Sequence, residues 1–121
     1  MARQQIIGKK GEDIAVEFLT AQGYLILERN WRIGKAEIDI IAKDGNILVF
    51  AEVKSRSSNH YGSPEESISA YKENLIFDAA GRYMQLTGHE WEIRFDIVSI
   101  LFEKESLPVI NHYKDAFFPS I

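Results

Sequence analysis

The chain has 121 residues, no cysteine, and a net charge of −4 from 14 Lys+Arg against 18 Asp+Glu. One ordinary domain length with 45% hydrophobic residues supports a packed core and argues against disorder, and the missing thiols exclude disulfides and thiolate metal sites. No stretch approaches the ~20 apolar residues of a membrane span, and the N-terminus lacks the apolar core of a signal peptide, so a cytoplasmic domain over residues 1–121 that engages no membrane is expected.

Residues 4–22 predict a first helix, with Ile7, Ile14, Ala15, Phe18 and Leu19 at helical spacing and Gly23 as the stop. Tyr24 to Arg32 predicts a strand, and Ile33-Gly34-Lys35 a turn. Ala36 to Lys43 and Asn46 to Lys54 predict a second and a third strand, joined by Asp44-Gly45 as a two-residue hairpin loop. Residues 56–62 read as a polar loop. Ser63-Pro64-Glu65-Glu66 then reads as a capped helix start, with Ser63 as cap and Pro64 at the first helical position. That helix should run to about Leu86, bent or broken near Gly81. Glu92 to Phe102 and Val109 to Lys114 complete the pattern as two more strands. The resulting α-β-β-β-α-β-β order is that of a mixed α/β domain.

The hairpin between the second and third strands carries the chemistry. With Asp44-Gly45 as the loop, Lys43 pairs with Asn46, Ile38 faces Ala51, Ile40 faces Val49, and Ala42 faces Ile47. That side, with Val53, is wholly apolar, which supports the register. On the other side Glu37 falls opposite Glu52, with Asp39 diagonal to Glu52 and Lys54 next along. Diagonal side chains lie about 7–8 Å apart at the Cα level, close enough for two carboxylates to converge on one ion. Like charges on buried strands need a compensating cation. Lys54 supplies part of one, and hard oxygen ligands favour Mg²⁺ or Mn²⁺ over zinc for the rest. Taken alone, a Glu-x-Lys on a strand is more often a solvated face. The dense apolar residues around it mark both strands as central, where charges are seldom decorative.

Ala36-Glu37-Ile38-Asp39-Ile40-Ile41-Ala42, followed by Val49-Phe50-Ala51-Glu52-Val53-Lys54-Ser55-Arg56, resembles the PD-(D/E)xK nuclease signature. More closely, the chain resembles the bacterial family UPF0102, or YraN-like, which is similar to archaeal Holliday-junction resolvases. Gly8 to Ala15 resembles the family's opening helix, Tyr61-Gly62-Ser63-Pro64-Glu65-Glu66 its loop-to-helix segment, and Arg94-Phe95-Asp96-Ile97-Val98 its late strand. The resemblance implies a restriction-endonuclease-like core, with a mixed central sheet and flanking helices. It implies Asp39 and Glu52 as metal ligands with the Val53 carbonyl beside them, Lys54 at the attacked phosphate or positioning the water, and Glu12 as a further carboxylate. Glu37 belongs to the motif. Ala36 stands where the family usually has Gly.

The reaction implied is metal-dependent hydrolysis of phosphodiester bonds in DNA, with branched or damaged structures as targets and a homodimer as the assembly. Arg56, His60, Tyr61 and Lys72, around the loop after Lys54, are candidates for phosphate contacts, though an ordinary polar loop explains each alone. The acidic balance argues against a general DNA coater. Setting aside Glu12, Glu37, Asp39 and Glu52 leaves 14 charges of each sign, so the remainder is neutral. Two readings compete with the nuclease. One is a catalytically silent nucleic-acid-binding or protein-interaction scaffold of the same fold. The other is an acidic interaction module, which leaves the converging carboxylates unexplained.

Overall fold

The computed structural model describes residues 3–57 and 68–119. Helix α1 (Arg3–Ala21) is followed by strands β1 (Leu25–Ile33), β2 (Ala36–Asp44) and β3 (Ile47–Ser57). Helix α2 (Ala70–Thr87) leads to strands β4 (Ile93–Phe102) and β5 (Val109–Tyr113). The element order is the one expected from the sequence, and the strands form one mixed sheet in the order β1-β2-β3-β4-β5. Neighbours are antiparallel except β3 and β4, which run parallel. A parallel pair needs a long crossover, and α2 lies within that connection.

The two helices pack on opposite faces of the sheet. Ala15 and Leu19 of α1 meet Ile40, Ala42, Val49, Ala51, Val98 and Ile100. Ile76, Ala79, Ala80 and Tyr83 of α2 meet Ile38, Ile41, Leu48, Phe50, Phe95 and Ile97. Strands β2, β3 and β4 are thus covered on both sides, which is why they read as near-continuous apolar runs rather than as alternating ones. Phe50 and Phe95 stack at 5.5 Å between ring centres on the α2 side.

Beneath α1 lies a buried polar network. Arg94 donates through Nε to Asp96 Oδ1 and through Nη2 to Asp96 Oδ2, both at 2.9 Å. It also donates to the Tyr24 hydroxyl at 2.7 Å and to Asp44 Oδ2 at 3.1 Å. His112 Nε2 lies 2.7 Å from Asp96 Oδ2, and the Asp115 N–H donates to Oδ1 at 3.1 Å. Asp96 is fully buried, yet its carboxylate is saturated with donors. Burial works against its charge, but His112 and Arg94 outweigh that and hold its pKa low.

Several local expectations are corrected. The hairpin loop is Gly45-Asn46, not Asp44-Gly45: Asp44 pairs with Ile47 and Ile40 with Ala51. Gly45 takes the left-handed φ of 63° that a tight hairpin turn needs at its first position. The shift is by two residues, so the parity of the faces survives and Ile40, Ala42, Val49 and Ala51 still share one side. Glu37 does not oppose Glu52; its partner is Arg32 on β1. Ile38 does not share a side with Ile40 either, since it joins the α2 layer. Arg56 is not in a loop, because β3 continues to Ser57 and Arg56 pairs with Leu101. The described part of α2 begins at a Ser69 cap, whose side chain accepts from the Lys72 N–H, and the helix passes Gly81 unbroken. Ser63 and Pro64 lie outside the described residues.

Candidate functional site

The site forms where both strands of the β1–β2 hairpin change phase. Arg29 opposes Ile40 and Trp31 opposes Ile38. Arg29 and Ile40 are on the α1 side, where Arg29 bonds Asp13 of α1 at 2.7 Å. Trp31 and Ile38 pack in the α2 layer. The inversion falls on Asn30 and Asp39, the rung between these pairs. Asn30 absorbs it with a φ of 51°, a conformation Asn tolerates better than most residues.

At this rung the Asp39 and Glu52 side chains take over from the sheet's ladder. The Asp39 N–H donates to Glu52 Oε2 at 3.2 Å, and the Val53 N–H donates to Asp39 Oδ2 at 2.8 Å. Glu52 is 1% exposed and is pushed up to about pKa 7, first by burial and then by the Asp39 charge. Asp39 is raised as well, chiefly by burial. Lys72, from the first turn of α2, places Nζ 3.3 Å from Glu52 Oε1. Burial opposes the Lys72 charge, but Glu52 and Asp39 outweigh it and its pKa is raised. Lys54 is lowered, by burial first and by the neighbouring Lys72 ammonium next.

Helix α1 brings in Glu12. It approaches β3 closely at Gly11, where any Cβ would collide with the Ser55 hydroxyl. Glu12 follows immediately, and its Oε1 is buried without a hydrogen-bond partner. Its pKa is raised by burial first and Asp39 second, while a hydrogen bond from Asn30 works the other way. Glu37 pairs with Arg32 at 2.7 Å and lines the same open cleft as Asp39 and Glu52. Lys35, Tyr71 and Lys72 line it too, around a volume of about 470 Å³.

Of the residues expected from the sequence, Asp39, Glu52, Lys54 and Lys72 come together, with Glu12 and Glu37 at the margin. The backbone of Val53 is tied to Asp39. Arg56 lies on β3 beyond Lys54, and His60 and Tyr61 are outside the described residues. Asn30 carries one signal in the sequence, an Asn within an otherwise strand-like run. No set of three carboxylate or imidazole side chains among the described residues closes round a common point. The donor set still fits a hard cation. Two carboxylates meet, a third has an orphaned buried oxygen, and burial together with a neighbouring carboxylate raises each of the three.

A family model described as "Uncharacterised protein family UPF0102" matches residues 11–100. This chain belongs to UPF0102. A UPF0102 protein of Flavobacterium psychrophilum is 47% identical over 118 residues, covering 98% of each chain. One from Christiangramia forsetii is 43% identical over 118 residues, again covering 98% of each. One from Bacteroides thetaiotaomicron is 41% identical over 121 residues, covering 100% of this chain and 99% of its own. The UPF0102 match begins at Gly11 and so takes in Glu12, the hairpin carboxylates, Lys54 and Lys72. No helix here is long and apolar enough to cross a membrane among the described residues.

Proposed function

We propose that this UPF0102 chain is a metal-dependent nuclease hydrolysing phosphodiester bonds in DNA, with branched or damaged structures as its substrate class. The observation that carries the reading is that Asp39 and Glu52, each held by a backbone N–H of the other's strand, line one cleft with Lys72, with Lys54 next to Lys72. Asp39 and Glu52 would hold Mg²⁺ or Mn²⁺, joined by the Val53 carbonyl and by the orphaned oxygen of Glu12. When bound, such an ion supplies water activation and neutralises charge on the phosphorane.

The chain's own residues do the rest. The Val53 N–H keeps Asp39 from rotating away, and the Asp39 N–H does the same for Glu52. Lys54, next to Lys72, would set a positive charge toward the non-bridging oxygens of the scissile phosphate. Lys35 and Tyr71 line the cleft along the path of the nucleic acid. The choice of DNA and of branched structures rests on the likeness to resolvases, as does a homodimer, because a junction presents two strands to cut. The net charge of −4 suits selection by structure over coating of any duplex.

A second reading is a silent scaffold of the same fold. Two observations favour it: Lys72 already pairs with Glu52, and no three ligands converge among the described residues. Calorimetric titration of Mg²⁺ and Mn²⁺ into wild type and Asp39→Ala, with cleavage assays on branched and linear DNA, separates the two. Metal binding and cleavage by wild type, both lost in Asp39→Ala, support the nuclease. Absence of saturable binding and of cleavage in wild type leaves the scaffold.

A further inference from the structure

We propose that Lys72 is the internal counter-ion of the carboxylate pair: it occupies the place of the divalent cation and is released when that cation arrives. The proposal rests on the reading of the cleft as a metal centre. Both oxygens of Glu52 are already engaged. Oε2 accepts from the Asp39 N–H, and Oε1 lies 3.3 Å from Lys72 Nζ. A hard cation such as Mg²⁺ needs its oxygens at about 2.0–2.1 Å. An ammonium and a divalent ion cannot share Oε1 at such range without strong repulsion, so ligation by that oxygen requires Lys72 to leave.

Three further features set Lys72 up to leave. It stands in the first turn of α2, three residues after the Ser69 cap, where the helix dipole disfavours a cation. Helix stability therefore does not account for a lysine there. Beside it stands Lys54, so two lysines face one buried carboxylate, and a divalent ion at that carboxylate would meet both. The Lys72 side chain is 42% exposed and reaches Glu52 from the open side of the cleft. Its flexible stem can swing outward without moving α2. Metal binding is then an exchange of one cation for another. The released ammonium stays at the mouth, available to a phosphate only once the metal is seated.

The test is calorimetric titration of Mn²⁺ into wild type, Lys72→Met, Lys72→Gln and Lys104→Met, the last removing one charge from the exposed β4–β5 turn. Thermal melts confirm that each variant folds. An internal competitor lowers apparent affinity by the fraction of sites it holds. Both Lys72 variants should bind up to about 5-fold more tightly than wild type, the strength of one partly exposed ion pair. Lys104→Met should show much the smaller change. Lys72 variants binding no tighter than Lys104→Met would overturn the counter-ion role while wild-type binding leaves the metal centre standing. No binding by any of the four removes the metal centre itself, and this role with it.

Discussion

Asp39 and Glu52 hold each other through the backbone: Glu52 Oε2 accepts from the Asp39 N–H at 3.2 Å, and Asp39 Oδ2 accepts from the N–H of Val53, next to Glu52, at 2.8 Å. The β2–β3 ladder as paired ends at Ile40 and Ala51, so these side-chain bonds continue it where the strands separate. The carboxylates are therefore part of the sheet's own construction, not appendages to it.

Glu52 is a buried acid held against its preference, since its pKa of about 7 lies well above its ordinary 4.5. Glu52→Gln keeps the shape and an acceptor for the Asp39 N–H but removes the charge. At about pH 8 the metal-free variant should be more stable than wild type by about 1–3 kcal/mol, measured by urea unfolding in the presence of chelator. The same variant should lose Mn²⁺ binding. A destabilised Glu52→Gln would mean that the carboxylate supports the fold through its ion pair with Lys72 more than burial opposes it.

The pH dependence of wild type follows from the same group. Its folded pKa is raised, so its contribution to stability is complete below about 4.5 and is lost as pH rises through about 7. Asp39 and Glu12 are raised too and act in the same direction. Asp96 is held low, and its effect falls below the ordinary carboxylate value, outside this window. Metal-free protein should lose stability between about pH 5 and about pH 8, while Mn²⁺ affinity rises over the same span as metal competes less with protons. Stability that climbs across this range would contradict the raised carboxyl.

A side chain at Gly11 forces Ser55 to give way. Gly11→Ala drives a methyl into Ser55 and should cost about 1–3 kcal/mol, with metal affinity falling because Glu12 is displaced. Adding Ser55→Gly removes the obstructing atoms. A double-mutant cycle should therefore show a favourable coupling, and additive losses would place the Gly11 constraint elsewhere.

Asp96→Asn tests the buried network. It takes from Arg94 the fully buried carboxylate that accepts two bonds from its guanidinium, leaving the part-exposed Asp44 as its ionic partner. A loss of about 3–5 kcal/mol in denaturant unfolding is expected. Near-neutral behaviour would show that Asp44 and Tyr24 alone can satisfy Arg94.

The element order and the central, doubly buried strands were legible because helix spacing, hairpin glycine and apolar density are local signals. The register was legible only in parity. Asp44-Gly45 and Gly45-Asn46 are both good turn pairs, and the apolar face of Ile40, Ala42, Val49 and Ala51 is satisfied by either. The local pattern thus brings Asp39 to Glu52 on the wrong rung and places Glu37 opposite Glu52, whereas its partner is Arg32. Lys72 was legible as a cation near the site but not as the partner of Glu52, because that contact crosses from α2 to β3 and leaves no spacing in the chain. The phase inversion at Asn30 and Asp39 has no periodic signature at all.

That inversion bears on the order in which the chain folds. Left to its local pattern, β2 would keep Ile38 and Ile40 on one side, in a more regular hairpin than the native one. Native β2 gives Ile38 to the layer under α2 and Ile40 to the layer under α1, so both helices must dock before the Asp39 rung has a reason to form. The hairpin tip can settle early through short-range pairing, whereas the carboxylate end is expected to mature last. Pulsed hydrogen exchange during refolding should protect the amides of Ala42 and Val49 ahead of those of Asp39 and Val53. The acidic cluster would then be assembled by tertiary closure, after the strands that carry it already exist.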